Sequence, residues 1–140
     1  MIDIDNQTNL NINFEEIEKI VHFITDKDFE LIIVNNNIIQ SINKEYRNID
    51  KATDVLSFPL DMSCPNMPIG SIIISSDKVK EGAIEFNHSI QNEFNLLLIH
   101  GVLHLLGYDH EVDNGEMREE EKKIIKYFNL PNSLIIRVEQ

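Results

Sequence analysis

Three of the five histidines in the chain stand close together in the segment His100-Gly101-Val102-Leu103-His104-Leu105-Leu106-Gly107-Tyr108-Asp109-His110. On a helix, residues four apart share one face about one turn from each other, so the imidazoles of His100 and His104 can reach a single ion. Gly107 lets the chain leave the helix and turn back, which allows His110 to close on the same point. Neutral imidazole suits zinc, although nickel, copper and iron also accept it. Three such ligands leave the fourth tetrahedral position for water, as a catalytic site requires. Taken singly, each histidine is better read as a hydrogen-bonded core residue; taken together, their spacing points to a metal site. His22, on an amphipathic helix, and His88, in a polar loop, read as structural.

The frame H-x-x-x-H-x-x-G-x-x-H is shared with metzincin proteases, which place a glutamate general base directly after the first histidine. Here that position is Gly101. General-base help contributes about 10²–10⁴ in rate, so a peptidase of that type is a minor reading. Zinc lowers the pKa of bound water toward neutrality, so a metal-bound hydroxide can form without that carboxylate.

The elements that must position these residues follow from hydrophobic spacing. Phe94 to Leu106 is apolar on almost every face, the pattern of a centrally buried helix, with Ser89 as its opening residue. Asn13 and Glu16 form a capping-box-like pair ahead of Phe14, Ile17, Ile20, Val21 and Ile24, which predicts a helix ending near Asp26. Phe29 to Val34 reads as a buried strand, followed by a short helix through Ile39, Ile42 and Tyr46. Val55 to Phe58 reads as a strand stopped by Pro59, and Ser71 to Ile74 as another, after a loop through Cys64, Pro65 and Pro68. Asp77 opens a helix to about Phe86, and Asp113 or Asn114 opens the last one, ending near Phe128. The residues after Pro131 are expected to add an extended edge or to fray.

The chain of 140 residues suits one domain, residues 1–140, and 42% hydrophobic with 26% charged residues is ordinary globular usage. With one cysteine, Cys64, no internal disulfide can form. The start lacks the features of a signal peptide, and no apolar run approaches the ~20 residues of a membrane span. A cytoplasmic protein without membrane contact is the expectation. The formal net charge of -12 opposes polyanion binding. Much of the acidic excess lies in Glu15–Glu18 and Glu111–Glu121, which read as solvated helix faces, whereas Lys44, Arg47 and Lys51 are expected to cluster near the histidine cleft.

The segment from His100 to His110 resembles the H-G-x-L-H-L-x-G-Y-D-H stretch of the YbeY family of bacterial endoribonucleases, also described as rRNA maturation factors. Ile42-Asn43-Lys44-Glu45-Tyr46-Arg47 and Thr53-Asp54-Val55-Leu56-Ser57-Phe58-Pro59 are similar to the family's L-N-x-x-Y-R and T-D-V-L-S-F-P elements. The resemblance spans about residues 31 to 128. Two positions depart from it: Ala52 stands where the family usually has proline, and Ser71 where it usually has aspartate.

The resemblance implies a zinc-dependent, single-strand-selective endoribonuclease acting in 16S rRNA 3′-end maturation and ribosome quality control. It also implies an α/β (α+β) domain, with a small mixed sheet of about four strands beside about five helices and one zinc ion at the end of the buried helix. His100, His104 and His110 would hold the metal. Arg47 is the candidate for the charge that builds on phosphate oxygens, because a guanidinium fork matches them; with His100 it is the residue expected to act in catalysis. Ser57, Thr53 and Asp109 are candidate cleft or turn residues, and Met117 reads as core. The implied partners are single-stranded rRNA and the ribosome or its proteins. A second reading is a non-catalytic ribosome-assembly factor whose acidic faces dock basic ribosomal proteins, with zinc serving stability. Metal-dependent RNA cleavage separates the two.

Overall fold

The computed structural model describes residues 2–60, 68–109 and 111–132, which leaves Cys64, Pro65, His110 and the tail after Asn132 outside the described residues. The described strands are β1 (Ile2–Asn6), β2 (Phe29–Val34), β3 (Val55–Pro59) and β4 (Gly70–Ser75). The described helices are α1 (Phe14–Ile24), α2 (Asn36–Arg47), α3 (Ser76–Glu85), α4 (Ile90–Leu105) and α5 (Glu116–Tyr127). The sheet order is β1-β2-β4-β3, with β1, β2 and β4 parallel and β3 antiparallel at one edge. This is the mixed α/β architecture that the spacing predicts.

Parallel strands joined through helices are covered on both faces, and so they read as continuous apolar runs. In β2 and β4, Leu31, Ile33, Ile72 and Ile74 face α1 and α4, while Val34 and Ile73 face α2 together with Leu56 of β3. α4 packs against β3, β4, α1, α3 and α5, which accounts for its apolar residues all round. It also explains Gly101. A Cβ there would lie 3.0 Å from Ile72 Cγ2 and 3.3 Å from Ser57 Oγ, so the glycine lets the helix lie close on the sheet.

The expected caps are present at Asn13 and Ser89, whose side chains accept from the amides of Glu16 and Asn92. Several boundaries shift: β3 takes in Pro59, paired with Gly70, and β4 runs one residue further at each end than Ser71 to Ile74. α1 ends at Ile24, two residues before Asp26, where Thr25 turns extended. α3 begins at Ser76 because the Ser75 hydroxyl accepts from the Lys78 amide, one residue ahead of the Asp77 expectation. α5 begins at Glu116 behind Gly115, not at Asp113 or Asn114, yet Asp113 still supplies the anion at that end by accepting from the amides of Gly115 and Met117. The strand missing from the sequence reading is β1. It lies at the sheet edge with Ile2 and Ile4 only half buried between exposed aspartates.

Gly101→Val forces two methyl groups toward Ile72. It is expected to cost about 1–3 kcal/mol of stability, read as a lower urea midpoint with an unchanged m-value.

Candidate metal centre and cleft

α4 delivers His100 and His104, both half-buried, through its last two turns. Their Nε2 atoms stand 3.1 Å apart, with ring planes at 80°. Two nitrogens bound to one tetrahedral zinc at about 2.0–2.1 Å stand roughly 3.3 Å from each other, so the pair fits one ion. The helix then closes in a Schellman arrangement, in which Gly107 N–H donates to the His104 carbonyl and Tyr108 N–H to that of Leu103, each at 3.0 Å. Gly107 has φ +99 and no neighbour within 4 Å of a Cβ, so it serves the backbone reversal and not a close approach. His110, the third expected ligand, lies outside the described residues. Among the described residues no set of three His, Cys, Asp or Glu side chains converges on a metal position.

A residue that the sequence reading assigned to a solvated acidic run completes the pair, and it is buried. Glu121, on α5 and 2% exposed, places Oε1 3.3 Å from His100 Nδ1. The carboxylate accepts a hydrogen bond from Nδ1–H, which leaves the His100 Nε2 lone pair directed at the shared point. Only the helical pattern of α5 could have hinted at it, because Glu121 falls on the same face as Met117 and Ile124, both buried against α4.

The two histidines line a cleft of about 850 Å³. The cleft runs along the outer edge of β3 and joins the two faces of the sheet. On the α4 side it holds His100, His104 and Ser57, and on the α2 side Tyr46, Arg47 and Phe58. Arg47 ends α2, and Asn48, at φ 58, stops the helix there. The turn from α2 into β3 is held by Asn43, 3% exposed, whose amide donates to the Lys51 carbonyl at 3.0 Å. This is a role for Asn43 that its sequence element did not reveal. Ser57 Oγ donates to the Gly101 carbonyl at 3.1 Å, tying β3 to the histidine helix.

The remaining candidates take structural places. Thr53 is outside the cleft lining, its hydroxyl 3.5 Å from Asp54 Oδ1. Asp109 lines the cleft and accepts from the Glu111 amide at 3.0 Å, which holds the turn. Met117 is buried in the core, as expected. His22 is exposed on α1, whereas His88 is buried beside Glu93, with Nε2 and Oε1 2.7 Å apart. Ser71 places its hydroxyl 3.5 Å from Glu30. Lys44 and Lys51 do not line the cleft, and Lys44 lies 3.9 Å from Asp50 in solvent. Among the described lining residues Arg47 is therefore the single Lys or Arg, in a cleft that Asp54, Asp109 and Glu111 also line.

The fold and site define a small α/β protein with an imidazole pair at the floor of an open cleft. The chain belongs to the endoribonuclease YbeY family, whose model matches residues 3–129. It is 55% identical over 139 residues to an endoribonuclease YbeY of Nautilia profundicola, covering 99% of each chain. It is 58% identical to one of Sulfurimonas denitrificans, again over 99% of each. A solution structure from Thermotoga maritima aligns with TM-score 0.63 and 32% identity, over 90% of this chain and 87% of that one.

Glu121→Ala frees the His100 ring and leaves its Nδ1–H without the carboxylate. Imidazole ¹⁵N spectra are expected to change from one tautomer to a mixture, with a loss of about 1–3 kcal/mol in unfolding free energy.

Proposed function

We propose that the protein is a zinc-dependent endoribonuclease that cuts single-stranded RNA, serving 16S rRNA 3′-end maturation and ribosome quality control. The observation that carries the reading is the convergence of two imidazole nitrogens at 3.1 Å in the cleft that also holds Arg47. Family membership supports RNA as the substrate. His100, His104 and His110 are the residues that would hold the ion. When bound, zinc supplies a Lewis acid and brings the pKa of water toward neutrality.

The protein's own groups do the rest. Glu121 keeps the proton on His100 Nδ1 and so fixes which nitrogen faces the cleft. The Arg47 guanidinium, exposed at the end of α2 and held by no acidic partner among the described residues, offers its fork to the non-bridging phosphate oxygens as charge builds there. Ser57 is committed to the Gly101 carbonyl and so positions the helix. Position 101 packs against Ile72 and Ser57 and carries no carboxylate, which favours a reaction without a glutamate base at that position.

The acidic lining of the cleft favours one other reading, a ribosome-assembly factor that docks basic proteins. A single experiment separates them: cleavage of single-stranded and duplex RNA by metal-replete and chelated protein. Single-stranded RNA is expected to be cut only with metal present. Absence of metal-dependent cleavage, together with salt-sensitive binding to a ribosomal protein, supports docking instead. His100→Ala and His110→Ala are expected to abolish zinc binding in a chelator competition. Arg47→Ala is expected to keep zinc and to lose about 10²–10³ in kcat/KM; full activity in that variant overturns the role of Arg47.

A further inference from the structure

The α2 side of the cleft carries an aromatic pair that the chemistry above does not use. Tyr46 is 67% exposed, and its ring centroid lies 5.6 Å from that of Phe58 at an angle of 60°. Phe58 is anchored from behind by the core of Val34, Ile39, Leu56 and Ile73. It is a fixed support, and Tyr46 stands on it with most of its surface in water. Folding gains little from a ring placed this way.

Charge gives the cleft little hold on a polyanion. Arg47 is the single Lys or Arg among the described lining residues, beside three carboxylates, in a chain of net charge -12. A strand gripped through its phosphates needs several cations. Stacking needs none, and every base offers a face, provided that it is not already stacked within a duplex.

We propose that Tyr46, supported by Phe58, is a stacking platform for one unpaired nucleobase, next to the phosphate that Arg47 receives, and that this platform sets the preference for single strands. The proposal rests on the endoribonuclease reading and names the residue that would select the substrate.

The test uses metal-replete full-length protein and a single-stranded RNA oligonucleotide, with wild type, Tyr46→Ala, Tyr46→Phe and Tyr46→Trp compared. Tyr46→Ala is expected to raise KM about 5- to 100-fold, with the loss larger in KM than in kcat. The Phe and Trp variants, which keep a ring but not the hydroxyl, are expected to stay within about threefold of wild type. An abasic site moved along the oligonucleotide should find one position that weakens wild type as much as Tyr46→Ala does, and that adds nothing in Tyr46→Ala. Unchanged thermal unfolding of Tyr46→Ala is expected from its exposure. An unchanged KM in Tyr46→Ala, a loss that Phe and Trp fail to rescue, or additive abasic effects overturns the platform while leaving the nuclease intact. If wild type cuts no RNA with metal present, the endoribonuclease reading itself falls, and the platform with it.

Discussion

Everything about the site depends on how α4 is buried. A helix enclosed on all sides must be apolar, and the cost of a polar group within it is high unless that group is paired. Glu93 meets His88, Asn95 accepts from Gln91, and His100 meets Glu121. The histidines stand where the helix runs out of cover, at the edge of β3. Their partners keep them from being merely tolerated polar residues: the ring of His100 is held from behind, with one nitrogen left toward the cleft.

Gly101 shows how packing and chemistry constrain the same position. The absence of a side chain there made a metzincin-type peptidase a minor reading from the spacing alone. The structure adds the reason in physical terms, which is contact between the helix backbone and Ile72 and Ser57. The same close approach lets Ser57 Oγ donate to the Gly101 carbonyl, which ties α4 to β3.

Much of this was legible in the chain. Phe29 to Val34 declared itself because a strand covered on both faces must be apolar throughout, and Asn13 and Ser89 marked helix starts through their capping oxygens. Helical spacing brought His100 and His104 together, and Arg47 falls in the same cleft. β1 was not legible, because an edge strand with half-buried isoleucines alternating with aspartates carries a weak signal over five residues. Glu121 was not legible either: it is twenty-one residues from its partner, in a segment whose many glutamates read as a solvated face. The same limit misplaced the lysines, since closeness in sequence to Arg47 does not bring Lys44 or Lys51 round the end of α2 to the cleft. Family similarity named the class of reaction, and the geometry brings His100, His104 and Arg47 into one cleft.

The position of β3 has one more consequence. The sheet ends there with a separate core on each face, and this divides the site between two packing units that meet through β2, β3 and β4. The imidazole pair belongs to the α4 unit, whereas Tyr46 and Arg47 belong to the α2 unit. Substitutions confined to different units and sharing no partners tend to combine additively. Substitutions at Tyr46 on the α2 face are therefore expected to leave the packing of α4 undisturbed.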